Sequence, residues 1–273
     1  MLRSRLLTAL LLVPLVVLGV LKLPQAGFLA ALHLVVLAAC WELTRLAGWE
    51  GAAARLALVA GQLGLLLLLQ WQLDAPWVPW VLVALALWWL GVLVVLLGGW
   101  VAPRPFQGVR PLRLVLNMGL LGGAWLALAR LHGLPEVGPP LLLFLLVLVW
   151  VADSAAYFSG RRFGRRKLAP HISPGKTVEG VAGALAGGAL CGLVLAATGW
   201  IQAPAWTMVL LCLLTVAVSV GGDLWESVLK RERGLKDSGS LLPGHGGVLD
   251  RIDSQIAASP FFAAGLLLMG VPL

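Results

Sequence analysis

The sequence predicts an all-α fold: a polytopic helical membrane protein with about nine transmembrane helices. Three observations carry that expectation. Of the 273 residues, 60% are hydrophobic and only 12% charged, about half the charge of an ordinary soluble domain. Mean hydropathy is +0.95. The apolar runs are also continuous rather than alternating, which argues against a transmembrane β-barrel.

A bilayer core of about 30 Å takes roughly 20 helical residues. On that measure the spans fall near 6–21, 26–48, 56–73, 76–99, 111–131, 138–158, 178–199, 204–222 and 255–272. The first follows Arg3 and Arg5 and lacks a small-residue cleavage site before Lys22, so it is expected as a retained helix. The second carries Glu42 and Arg45 three residues apart, which reads as a local structural pair. The third and fourth meet at the short turn Asp74, Ala75 and Pro76. The sixth ends VWVADSAAYFSG, with Asp153 and Tyr157 one turn apart near the membrane surface. The eighth runs into Asp223, Glu226, Ser227 and Lys230, which share one face if the helix continues. The ninth is preceded by Asp250, Arg251 and Asp253.

Orientation follows from the basic residues. Of 20 Lys and Arg, 18 fall at the N-terminus or after spans 2, 4, 6 and 8, leaving Lys22 and Arg130 opposite. That asymmetry places the N-terminus in the cytoplasm and the C-terminus outside. It also accounts for the net charge of +8 without invoking nucleic acid. Cys40, Cys191 and Cys212 lie in apolar runs without metal or disulfide spacing, and His33 and His132 stand alone. The 13 Trp read as packing and interface anchors.

Only 159–177 and 223–254 are long polar stretches, and both fall on the cytoplasmic side. Residues 1–137 therefore read as a transmembrane scaffold and 138–273 as the region where chemistry with a water-soluble, anionic partner is expected. In the first loop, Arg161, Arg162, Arg165, Arg166 and Lys167 suit lipid head groups. The stretch from Ser173 to Thr177, SPGKT, is not a Walker A loop, because Pro170 stands where that motif needs glycine. Lys176 and Thr177 still make a cationic helix start suited to a phosphate, with Glu179 as a candidate cap. In the second loop, Gly246 and Gly247 beside His245 suit an anion-binding turn, preceded by Lys230, Arg231, Arg233 and Lys236. Asp250 and Asp253 fit either an N-cap or a cation site. Asp223 and Asp250, at the ends of consecutive antiparallel spans, can reach one hard cation such as Mg²⁺.

From Ser227 to Asp253, SVLKRERGLKDSGSLLPGHGGVLDRID resembles the signature of the phosphatidate cytidylyltransferases, or CDP-diacylglycerol synthases. That pattern runs Ser, two residues, Lys-Arg, four residues, Lys-Asp, a small residue, then His-Gly-Gly and Asp-Arg-x-Asp. The block DSAAYFSGRRFGRRKLAPHISPGKTVEG is similar to the family's preceding segment. The resemblance implies transfer of CMP from CTP to phosphatidic acid. The compact size without extra targeting segments suggests a bacterial inner membrane, and the basic asymmetry sets the site toward the cytoplasm. It implies Mg²⁺ at positions matching Asp223 and Asp250, with Asp253 beside them; a second, monovalent cation stays open. Ser227 and Lys230 are the further catalytic candidates. Asp153, Ser173, Lys176, Thr177, Arg231, Lys236, His245, Gly246, Gly247 and Arg251 are the substrate-binding candidates. The partners implied are CTP, phosphatidic acid and membrane lipids; association as a homodimer stays open. A related lipid cytidylyltransferase or lipid kinase with another acceptor is the nearest alternative, and an organic-anion transporter a more distant one.

Overall fold

The computed structural model describes residues 2–241 and 246–273. Nine helices run along the described chain: α1 (Leu2–Lys22), α2 (Gln25–Leu46), α3 (Ala52–Trp71), α4 (Val78–Leu97), α5 (Pro111–His132), α6 (Gly138–Phe163), α7 (Val178–Thr198), α8 (Ala205–Glu232) and α9 (Leu249–Leu268). Seven of them, α2 to α8, are long and apolar enough to cross a membrane by length and composition. The apolar part of α1, Leu10–Lys22, is shorter.

Helix starts follow the prolines. Pro24 and Pro204 occupy the N-caps of α2 and α8, and Pro111 opens α5, positions where a missing N–H costs nothing. Gly199 closes α7 in the left-handed region at φ 68°, which suits glycine.

The innermost helix is α9. Every residue from Ser254 to Ala264 on it is buried, and it packs against α4, α5 and α8. Small side chains at Ala257, Ala258, Ala263 and Ala264 permit that approach, as expected where van der Waals contact, not the hydrophobic effect, holds helices together. A side chain at Gly222 of α8 would stand 2.6 Å from the Asp253 carbonyl of α9. By contrast α3 buries only Gln62 and Leu66. Outward-facing Leu10, Trp80, Leu112 and Trp206 are largely exposed, a surface that hydrocarbon solvates and water does not.

Three helix ends beside the polar stretches, and one of those stretches itself, differ most from the sequence expectation. The sixth helix continues from 158 to Phe163 and the eighth from 222 to Glu232. The ninth starts at Leu249 rather than 255. The stretch 159–177, expected as irregular loop, holds an antiparallel hairpin of β1 (Lys167–Ala169) and β2 (Ser173–Thr177). The fold is thus all-helical save for one small hairpin at the end of α6.

Candidate active site

The extension of α8 sets the site. Asp223, Glu226, Ser227 and Lys230 lie on one continuous helix, so they project along one face. Lys230 Nζ stands 2.5 Å from Glu226 Oε2 and 2.7 Å from Asp250 Oδ1. All three side chains are nearly buried, so this is a desolvated cluster rather than the solvated Glu226–Lys230 pair a helix end suggests. Burial pushes the Asp250 carboxyl up, but Lys230 and the backbone N–H groups of Gly247 and Ser238 outweigh it and hold it below the usual carboxylate range.

A second lysine arrives from the hairpin. Lys176 of β2 stands 2.7 Å from Asp223 Oδ2, and Ser227 donates to Asp223 Oδ1 at 3.4 Å. Asp153 of α6 lies within Coulombic reach of Lys176, Asp223 and Arg251. Arg231 donates to the Ile172 carbonyl at 3.2 Å, which anchors the hairpin to α8. Thr177 caps α7 by accepting from the Gly180 N–H at 3.1 Å. Glu179, the other candidate cap, instead accepts from the backbone N–H groups of Arg165 and Arg166 at 3.0 and 3.2 Å. It ties the basic stretch to the start of α7.

Around the glycine-rich turn, the N–H groups of Ser238, Gly247, Val248 and Leu249 are used internally. Asp250 Oδ2 accepts from Ser238 N–H at 2.9 Å and Gly247 N–H at 2.8 Å. Glu42 of α2 accepts from Val248 N–H at 3.1 Å, Leu249 N–H at 2.8 Å and Ser238 Oγ at 3.0 Å. The anion-binding turn read from the sequence therefore binds two of the protein's own carboxylates, and the Gly247 N–H is already taken. Gly246 sits at φ 82°, a conformation that favours glycine. His245 lies outside the described residues. Lys236 is exposed, and Ser173 is half-buried on β2.

Glu42 and Arg45 are the residues the sequence reading misplaced. Their spacing suggested a local pair, yet Arg45 donates to the carbonyls of Ser238 and Asp237 at 2.8 and 3.3 Å, while Glu42 takes the donors named above. The signal available was a carboxylate inside an apolar span, which is expensive unless it has partners. Arg233 similarly grips the Leu46, Phe106 and Gly108 carbonyls. Glu232 meets Arg110 and Arg113, so the N-terminal helices hold the polar end of α8 in place.

The donor set has the chemistry of a hard-cation site. Asp223, Glu226, Asp250 and Asp253 supply only oxygens, and Glu226 Oε1 is buried without a partner among the described residues. A cation placed among these carboxylates would offset their like charges. Among the described residues, no three acidic, His or Cys side chains are drawn together closely enough to hold an ion. Lys176 and Lys230 hold oxygens of Asp223 and Asp250 instead. The residues fit a divalent cation in kind, with two lysine ammoniums supplying the positive charge in this conformation.

Comparison with known proteins gives a consistent result. Residues 3–269 match the model of the cytidylyltransferase family. A phosphatidate cytidylyltransferase of Pseudomonas aeruginosa is 42% identical over 271 residues, covering 99% of this chain and 98% of that protein. One from Haemophilus influenzae is 39% identical, covering 96% and 98%. One from Bacillus subtilis is 40% identical over 132 residues, about half of each chain.

Proposed function

The chain belongs to the cytidylyltransferase family, and on that premise we propose that it transfers CMP from CTP to phosphatidic acid. The products are CDP-diacylglycerol and pyrophosphate. The observation that carries this is the near full-length likeness to enzymes named phosphatidate cytidylyltransferase, joined to an acidic, lysine-bridged cluster where α8, α9 and the hairpin meet. A kinase, a transporter or another acceptor has no comparable support. We carry forward nine crossings, with the N-terminus and the cluster facing the cytoplasm of a bacterial inner membrane. The 18-to-2 split of Lys and Arg supports that orientation.

In the proposed reaction a phosphatidate oxygen attacks the α-phosphorus of CTP in line. A new P–O bond forms, the bond to the β-phosphate oxygen breaks, and pyrophosphate leaves with the electron pair. The nucleophile is already ionised, so no general base is needed. Such chemistry depends on positioning and charge neutralisation more than on covalent catalysis. Asp223 and Asp250, with Asp253 beside them, are the proposed holders of Mg²⁺, which would polarise the α-phosphorus and neutralise the leaving group. Lys230 and Lys176 lie at the carboxylates, where either ammonium can turn to a phosphate once the acidic charge is otherwise met. Lys236, exposed at the turn, and Arg231 extend the basic surface for the triphosphate. Asp153, within Coulombic reach of Lys176, adds negative charge beside that lysine.

The test is a panel of lipid phosphate acceptors with labelled CTP and purified protein. Label entering CDP-diacylglycerol with phosphatidic acid is the expected outcome. Label entering another lipid, and not this one, would overturn the acceptor assignment.

A further inference from the structure

Carboxylates and lysines meet a triphosphate and its cation, features that all nucleoside triphosphates share. Choosing cytosine takes an aromatic surface for the ring and hydrogen-bond donors for its edge. One face of α6 carries both. Asp153, Tyr157 and Arg161 follow at four-residue spacing, so they share that face, each about 6 Å further along the axis. Asp153 lies within Coulombic reach of Lys176 and Asp223. At this level α6 runs beside the hairpin: a side chain at Gly160 would stand 2.9 Å from Oγ1 of Thr177, the residue after Lys176.

Tyr157 is 58% exposed, one turn outward from Asp153. Its hydroxyl accepts from Arg161 Nη1 at 3.1 Å, and Phe158 braces the ring in a T-shaped contact at 5.4 Å. Arg161 is itself exposed. Among the described residues its Nη2 and Nε make no hydrogen bond and its charge makes no ion pair. The ring is thus held in place while the rest of the guanidinium stays available. Phe158 and Phe163 are exposed as well, but they lie well round the helix from the Asp153 face and suit the membrane surface.

We propose that Tyr157 is the stacking platform for the cytosine of CTP and that Arg161 reads the edge of the base. This rests on CTP being the donor. With the α-phosphorus at Asp223 and Asp250, the base extends past Asp153 toward the cytoplasm and lies on the Tyr157 ring. Arg161 keeps Nη1 on the tyrosine hydroxyl and donates from Nη2 and Nε to cytosine O2 and N3, a use of the guanidinium fork. Uracil carries an N–H at the second of those positions, so two donors would face each other. Tyr157 therefore holds a pyrimidine ring, and Arg161 is the specificity-determining residue that separates CTP from UTP.

The experiment measures kcat and KM for CTP and for UTP, with phosphatidic acid as acceptor, in the parent protein, Tyr157→Leu, Tyr157→Phe and Arg161→Met. Tyr157→Leu should raise KM for CTP about tenfold, the scale of one base stacked on an aromatic ring, without moving KM for phosphatidic acid. Tyr157→Phe keeps the ring and should recover most of that loss. Arg161→Met should lower the CTP-to-UTP ratio of kcat/KM about tenfold, because the edge of the base goes unread. A raised KM for phosphatidic acid in Tyr157→Leu, with that for CTP unmoved, would make the ring a membrane anchor and overturn the platform. An undiminished CTP-to-UTP ratio in Arg161→Met would overturn the reading of the edge. If Tyr157→Leu does not turn over, equilibrium dialysis of labelled CTP without acceptor decides: binding equal to that of Tyr157→Phe would overturn the platform, and weaker binding would support it. A parent protein that takes label from no nucleoside triphosphate would overturn the donor reading itself, a failure seen without any variant.

Discussion

Lys230 of α8 stands 2.7 Å from Asp250 of α9 while also touching Glu226 at 2.5 Å. One ammonium therefore compensates two buried carboxylates and fixes the two helices that carry most of the candidate site. Desolvating such a trio is costly, and its members are far more sensitive to loss of one partner than to the presence of all three.

Lys230→Met should accordingly destabilise the protein by about 3–5 kcal/mol and abolish turnover. Thermal unfolding in detergent, followed with CTP turnover, checks both. An unchanged melting temperature would mean that the carboxylates find other compensation.

Lys176 reaches Asp223 from the hairpin and is only partly buried, so its ion pair adds little to stability. Its expected weight is on catalysis. Lys176→Ala should lower kcat by about 10²–10³, the scale of removing one preorganised charge, with little change in melting. Lys167→Ala, exposed at the start of β1, should only raise KM for the lipid about fivefold, as for one basic residue at a membrane surface. Equal effects of the two substitutions would contradict this division.

Glu42 accepts three hydrogen bonds from the segment 238–249. Glu42→Gln keeps the shape but sets an amide N–H against backbone donors, a loss of about 2 kcal/mol. Hydrogen exchange of Val248 and Leu249 should quicken, and KM for CTP should rise. Unchanged exchange at those two amides would show that the turn holds without Glu42.

Gly222 lets α8 approach the Asp253 carbonyl. Gly222→Val should force the helices apart, costing about 1–3 kcal/mol as overpacking does, and should lower turnover by separating Asp223 from α9. Activity at the parent level would show that the spacing is not needed.

Much of this arrangement is legible in the residues themselves. The apolar runs locate the helices because a bilayer fixes their length, and the spacing of Asp223, Glu226, Ser227 and Lys230 implies a shared face once α8 continues. The partners of Glu42 are not legible: they lie some 200 residues away, and local spacing offered only Arg45. The hairpin is hidden for another reason. With three and five residues, one strand holding Pro174 and Gly175, it lacks the alternation that distinguishes a strand from a loop. The early start of α9 was obscured by its polar first turn, which reads as loop until Asp250 is seen paired to Lys230.

The central claim is that Asp223 and Asp250, set on different helices, serve one divalent ion during CTP turnover. Titrating Mg²⁺ against turnover in Asp223→Asn and Asp250→Ala tests it most directly. Each substitution should reduce activity by at least about 10³, with the residual rate no longer saturating at the parent's Mg²⁺ concentration. Parent-level activity with an unshifted Mg²⁺ dependence in both variants would contradict it.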